Sequence, residues 1–459
     1  MKTFLRALAG FLLCAMLFTF TLWRNDAFPD LSALTAFVQD TAGRLDTISQ
    51  IPDSGISAIT RPKDEGAQFP EYSLSEEIDP ELEQLICEAM LAHATEVDLS
   101  EYHLNDDSLQ AVVSAIRFTH PELFFVDKTF TFSRSTSTGV VQLLKPQYTH
   151  SAEQVATMMA EYEATVAAIV AGAPANGTDF DKLLYVHDYF VKGYEYDYTY
   201  TIRDAYTFFK EKTGVCQAYM LAMIAVCEEM GIQSIPVTSN RMNHAWNMVL
   251  LDGQWYHIDV TWDDAVSYPA YVSYTYFLQS DAGMIAIDAD KVDEGADEVD
   301  WHCDWLATSA ATDTRYDKAA WRESGAPIVK CGDTYYCVVS EPDNMEQNVS
   351  GAVYSGTDPV QMTRTFAINC LWRLSGTSHC YVDCYTGLAV HGGELIYNTS
   401  NTLRAYNPAT GTDRLLGIMD VGSDCIFGLM GVSDQGVVSY LVSPVASGGQ
   451  YRILQHTIA

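Results

Sequence analysis

Residues 213–264 read TGVCQAYMLAMIAVCEEMGIQSIPVTSNRMNHAWNMVLLDGQWYHIDVTWDD, and the reading of this stretch decides the rest of the chain. From Val215 to Met230 the side chains are apolar almost all round, and Gly231 stands where a helix stops in left-handed geometry. Such a helix is buried on most of its faces. Its entry, Thr213-Gly214-Val215, places Cys216 in the first turn, where unpaired backbone N–H groups and the positive end of the helix dipole favour a thiolate. Cys227 has nearly the same azimuth but lies about 16 Å along the axis, so it is read as core packing and not as a disulfide partner.

Asp252-Gly253 is a two-residue hairpin signal between two flanks, 243–251 and 254–262, rich in strand formers. With that loop Leu251 faces Gln254, Trp246 faces Asp259 and His244 faces Thr261. His244 and Asp259 then share one face of the sheet as diagonal neighbours, about 7–8 Å apart at the backbone and within side-chain reach. A slip of one residue would put them on opposite faces.

Cys216, His244 and Asp259 are thus a nucleophile, a base and an orienting carboxylate: the thiol attacks an acyl carbon, the imidazole takes and returns the proton, and the carboxylate supports the imidazolium. The backbone N–H of Cys216 is the expected oxyanion donor. Each residue also has an ordinary alternative: a core thiol, a satisfied histidine beside Trp246, and a carboxylate closing the hairpin. His257 shares the face of Asp259 and is read as structural, with a spare base as its alternative.

The arrangement resembles the transglutaminase-like superfamily, a papain-like set of thiol enzymes. The resemblance is carried by Gly214-Val215-Cys216-Gln217-Ala218-Tyr219, Gly231-Ile232, Asn243-His244-Ala245-Trp246-Asn247 and Trp255-Tyr256-His257-Ile258-Asp259, with Thr261-Trp262 after them. It covers roughly 179–280. It implies an α+β fold, with a papain/transglutaminase-like catalytic core in which the buried cysteine helix packs on an antiparallel sheet. It also implies the triad Cys216, His244 and Asp259, and an acyltransferase or peptidase acting on a peptide or protein substrate. The superfamily includes cross-linking enzymes, proteases, amidases and members without activity, so transfer, hydrolysis and a non-catalytic surface binding or scaffold protein all stand as readings.

Composition bounds the rest. With 459 residues, two or three domains are expected. The 48% hydrophobic content is that of a folded protein, and the net charge of −34 repels nucleic acid. No motif calls for a cofactor or a metal. Residues 1–25 read as a signal peptide or an uncleaved signal-anchor: Lys2 and Arg6, then an uncharged run from Ala7 to Trp23, then Arg24. They imply membrane anchoring or secretion and an extracytoplasmic site of action. Of the 11 cysteines, removing Cys14 and Cys216 leaves an odd number, so at least one further thiol stays free. His379-Cys380 to Cys384 lacks metal-site spacing and reads as a disulfide or buried thiols.

Residues 26–72 read as a linker. Residues 73–172 read as a helical lead-in subdomain with a β insertion: helices over 81–93, 107–118 and 151–170, the last with a Ser151/Gln154 capping box, and strands within 124–141. The catalytic domain spans 173–325, with helices over 179–192 and 204–212. Its tyrosine run, Tyr194-Glu195-Tyr196-Asp197-Tyr198-Thr199-Tyr200, is either a peptide-binding groove or a wall of the core. A further strand is expected over 271–279 and an acidic solvated loop over 281–304. From 326 to 459 short strands separated by Gly332-Asp333, Gly356-Thr357-Asp358, Gly392-Gly393 and Gly411 make a β-rich, propeller-blade-like region, too short to close a ring.

Overall fold

The helix that carries Cys216 is the centre of the largest core. A computed structural model describes residues 78–264, 272–293, 305–341, 351–369, 371–373, 380–382, 386–419, 425–444 and 452–458. The linker, the leader, and His379 and Cys384 lie outside the described residues.

The chain begins with α1 (Pro80–Leu91), β1 (Val97–Asp98), α2 (Asp106–Thr119), β2 (Val126–Arg134) and β3 (Val141–Tyr148). These pack around Ile86, Met90, Leu109, Ile116, Phe125 and Leu144, in a three-stranded sheet of order β1-β3-β2. α3 (Ala152–Gly172) follows, and its capping box is formed as the sequence predicts, with Ser151 and Gln154 each satisfying the other's backbone N–H. Among the described residues it is the one helix long and apolar enough to cross a membrane.

Next come α4 (Asp179–Gly193), β4 (Glu195–Tyr196), α5 (Ala205–Glu211), β5 (Thr213–Gly214) and α6 (Cys216–Glu229). Every residue of α6 from Ala218 to Cys227 is buried. The helix stops where Gly231, at φ +73°, donates to Glu228 and the Ile232 N–H donates to Cys227, which satisfies carbonyls that the helix end leaves open.

The sheet that carries His244 is antiparallel in the order β6 (Ser234–Ser239), β7 (His244–Leu251), β8 (Gln254–Ile258), β9 (Phe277–Gln279). Asp252 and Gly253 both take positive φ, as a tight two-residue hairpin loop requires, and the register is the predicted one: Leu251 pairs with Gln254 and Asn247 with Ile258. The two faces of β7 then divide. Ala245, Val249 and Leu251 belong to the α6 core, while Trp246 and Met248 join Val237, Tyr276 and Met284 on the other side.

Three expectations are corrected. The second hairpin arm ends at Ile258 rather than at Trp262, because the Asp259 carboxylate accepts from the Trp262 N–H and starts a one-turn helix, α7 (Val260–Asp263), so Thr261 does not face His244 across a ladder. Of the strand expected over 271–279, the described residues 272–279 form it only at 277–279. The acidic stretch from Asp281 is helical as far as Asp293 (α8): its apolar positions include Met284, which is buried under the sheet.

After α8 the chain forms antiparallel sheets of order β10 (Val329–Cys331), β11 (Thr334–Ser340), β12 (Gly351–Gly356), β13 (Thr363–Ile368); β14 (Leu371–Arg373), β15 (Cys380–Val382); β16 (Leu388–His391), β17 (Glu394–Asn398), β18 (Thr402–Asn407), β19 (Thr412–Ile418); and β20 (Cys425–Val432), β21 (Val437–Pro444), β22 (Arg452–Thr457). The core around α6 continues into this region through Trp321, Ile328, Tyr335 and Cys337, and Asp181 of α4 binds both Lys330 Nζ (2.7 Å) and Tyr335 Oη (2.6 Å).

Candidate active site

Cys216 is the first residue of α6, so its N–H and that of Gln217 have no acceptor within the helix. The approach to it is tightly built. A Cβ on Gly214 would lie 2.6 Å from Phe208 and 2.7 Å from Ala218, so only glycine lets β5 pass this close to the helix start. The Val215 N–H donates to Ile202 O, and the Asp197 N–H to Gly214 O. The Asp197 carboxylate gathers the N–H groups of Thr199, Thr201 and Ile202 and both threonine hydroxyls, which closes the loop 197–202 beside the Cys216 entrance.

From the other side Asn243, at φ +51°, turns the chain so that His244 opens β7. His244 Nε2 lies 2.7 Å from Asp259 Oδ2, while Asp259 Oδ1 accepts the Trp262 N–H at 3.0 Å. Asp259 is fully buried. With Nε2 taken by the carboxylate, Nδ1 is the nitrogen left to face Cys216, whose thiol acts on the ring electrostatically. Burial opposes a charge on His244, but Asp259 and then Cys216 outweigh it and lift its pKa to about 10. The ring stacks on Trp246 (centroids 5.5 Å apart) and on Trp262 (4.8 Å), each at 20°, contacts with indole faces that suit an imidazolium.

The structure therefore brings together Cys216, His244 and Asp259, and it keeps His257 apart. The Trp246 Nε1–H donates to His257 Nδ1 at 3.0 Å, so His257 is a neutral ring whose Nε2–H donates to Asp281 at 2.8 Å. Burial holds its pKa below the ordinary value. It orients the indole that stacks on His244. Cys227 is also removed from the site, fully buried, with its thiol pushed up to about 12 by burial.

The tyrosine run divides. Tyr194 stacks on Phe208 (4.5 Å) and Tyr196 is buried, whereas Tyr198 is 54% exposed at the tip of the loop that Asp197 closes. Sequence reasoning missed four contributors: Asp197, the stacking role of Trp262, the Tyr219–Asp264 contact and the His187–Asp263 pair. The Asp197 signal was present as an aspartate followed by Thr199 and Thr201, a loop-closing pattern. Tyr219 Oη donates to Asp264 Oδ2 at 2.6 Å and ties α6 to the end of α7, and burial lifts Asp264 to about 8. The last two contacts join residues 45 and 76 positions apart, which no local pattern reports.

No curated protein matches the sequence. Among solved structures the chain is similar to one described as a "Putative Cysteine Protease from Cytophaga hutchinsonii", with 14% identity over 29% of this chain and 61% of that one and a TM-score of 0.20. It is also similar to one described as a "TGase", with 11% identity over 40% of this chain and 48% of that one and a TM-score of 0.20. The chain thus spans less than two thirds of the length of either. Residues 163–260 match the family model of the transglutaminase-like superfamily, and the segment that holds Cys216, His244 and Asp259 is a transglutaminase-like domain.

Proposed function

We propose that the protein is a thiol enzyme that transfers or hydrolyses acyl groups of peptide or protein amides through a Cys216 thioester. The observation that carries this reading is the His244–Asp259 contact at 2.7 Å, on a ring that the Cys216 thiol also influences. With His244 holding the thiol proton, the Cys216 sulfur attacks the amide carbon, a C–S bond forms and the carbonyl electrons move to oxygen at the helix start. Collapse of the adduct breaks the C–N bond, and the Nδ1 proton leaves with the amine. An incoming nucleophile then gives a proton to His244 and attacks the thioester, and the thiol is released. An amine as that nucleophile gives an isopeptide cross-link, and water gives a peptidase or amidase.

In this reading 173–325 is the catalytic domain, 73–172 packs on it, and 326–459 is an open, blade-like β array for recognition or placement. Residues 1–25 export the chain and either anchor it or are removed. The uncharged run behind Lys2 and Arg6 supports this.

The test is to incubate the full chain and its Cys216→Ala form with a glutamine-bearing protein and a labelled primary amine, and to follow amine incorporation, ammonia and new peptide termini. Incorporation or cleavage lost in Cys216→Ala supports the reading. Cleavage without incorporation assigns hydrolysis, and an equal outcome for both forms rejects catalysis.

A further inference from the structure

Behind the candidate triad lies a second buried charge system. His187, on α4, is fully buried, and each ring nitrogen meets a carboxylate: Nε2 lies 3.2 Å from Asp263 Oδ2 and Nδ1 lies 3.2 Å from Asp188 Oδ1. A ring that donates from both nitrogens is an imidazolium. Burial opposes that charge, but Asp188 and Asp263 outweigh it and hold the pKa above the ordinary histidine value.

Both carboxylates are themselves fixed. Asp263 Oδ1 accepts from Ser273 Oγ at 2.7 Å, and the Tyr276 N–H lies 3.1 Å from both carboxylate oxygens. Asp188 accepts from Tyr274 Oη (2.9 Å) and Lys192 Nζ (2.7 Å). The other groups that face this system are Arg322, whose charge acts on Asp263, Asp264, on which the His187 charge acts, and the Tyr274 ring, stacked on the imidazole at 5.1 Å.

Asp263 is the last residue of α7, and Asp259, which holds His244, is its N-cap. A one-turn helix has almost no stability of its own, so its position is set by what grips its two ends. The Tyr276 backbone spans both ends, since its carbonyl accepts from the Asp259 N–H and its N–H donates to Asp263. We propose that His187 is a positioning residue for the thiol site: clamped between Asp188 and Asp263, it fixes α7 and thereby the aim of Asp259 at His244. This rests on the thiol-enzyme reading of Cys216.

The test is the rate of Cys216 carbamidomethylation, read on its own peptide by mass spectrometry, in the full chain between pH 5.5 and 8. It compares wild type, His187→Gln and Ser273→Ala, with each rate scaled to the folded fraction. The wild type reacts at nearly the same rate throughout. In His187→Gln the rate at pH 6 falls about tenfold relative to that at pH 8, because a loosened Asp259 no longer supports the His244 cation. In Ser273→Ala, which removes one grip on Asp263, it falls about threefold. A purely structural His187 lowers the melting temperature and leaves the profile unchanged. An unchanged profile in either folded variant overturns the proposal, and Ser273→Ala decides it if His187→Gln does not fold. A wild type that reacts like an ordinary thiol overturns the thiol reading itself, and this inference with it.

Discussion

The helix and hairpin over 213–264 and the β sheets over 329–457 use polar side chains in opposite ways. In the first region a group of charges is inside: Asp259 and Asp263 are fully buried and His244 nearly so, and each is met by a specific donor or acceptor. In the second the ion pairs between described residues of that region are outside. Arg404–Asp413, Arg414–Glu394 and Arg364–Glu341 link residues of that region on its surface, while the interior is Leu395, Tyr397, Leu403, Val438 and their neighbours. Buried charges cost folding energy unless every one is paired, so a region that holds several of them in one place carries an arrangement that stability alone does not require. The contrast makes mutations in the two regions behave differently.

The largest effect is expected at the buried site. Asp259→Asn keeps the side chain's size and its acceptor for the Trp262 N–H but removes the charge that supports His244. Turnover on any amide substrate is expected to fall by about 10²–10⁴-fold with the fold retained, and steady-state kinetics beside a thermal melt separate the two readouts.

Gly214→Ala comes next. It forces a methyl group into contacts of 2.6 and 2.7 Å with Phe208 and Ala218, and about 1–3 kcal/mol of stability is expected to be lost in urea unfolding, with Cys216 displaced as well.

Asp264 gives a pH signature. Its folded pKa, about 8, lies above the unfolded value, so its contribution is fully present below the unfolded carboxylate pKa of about 4 and is lost as pH rises to 8. Asp264→Asn should therefore flatten the decline of stability between pH 4 and 8. A decline of unchanged slope would show that Asp264 ionises freely in the folded protein.

The smallest effect is expected in the β region. Arg404→Ala removes a surface pair, so a cost of about 0–1 kcal/mol and an unchanged Cys216 reaction rate are expected. A large loss of reactivity there would erase the contrast between the two regions.

Much of the first region was legible because its signals are local. Gly231 ends α6, and Asp252-Gly253 sets a register that runs as far as Asn247 opposite Ile258, one residue before the Asp259 that meets His244. The end of β8 was not legible, because Val260, Thr261 and Trp262 favour a strand by type, and the turn they form instead rests on the Trp262 N–H donating to the Asp259 carboxylate and on distant partners that hold Asp263. The helix from Asp281 was hidden by its acidic composition, and the partner of Asp281 itself, His257, is distant in sequence. The His187 clamp was invisible for the same reason, being assembled from α4, α7 and the segment before β9.

The central claim is that His244, braced by Asp259, holds the Cys216 thiol in its reactive form. It is tested most directly by the pH dependence of Cys216 alkylation in wild type and in His244→Ala. A wild-type rate already high at pH 6, lost in His244→Ala, which rises only as a free thiol titrates near about 8.5, is the expected result. Two superimposable profiles, both rising near that pH, would contradict it.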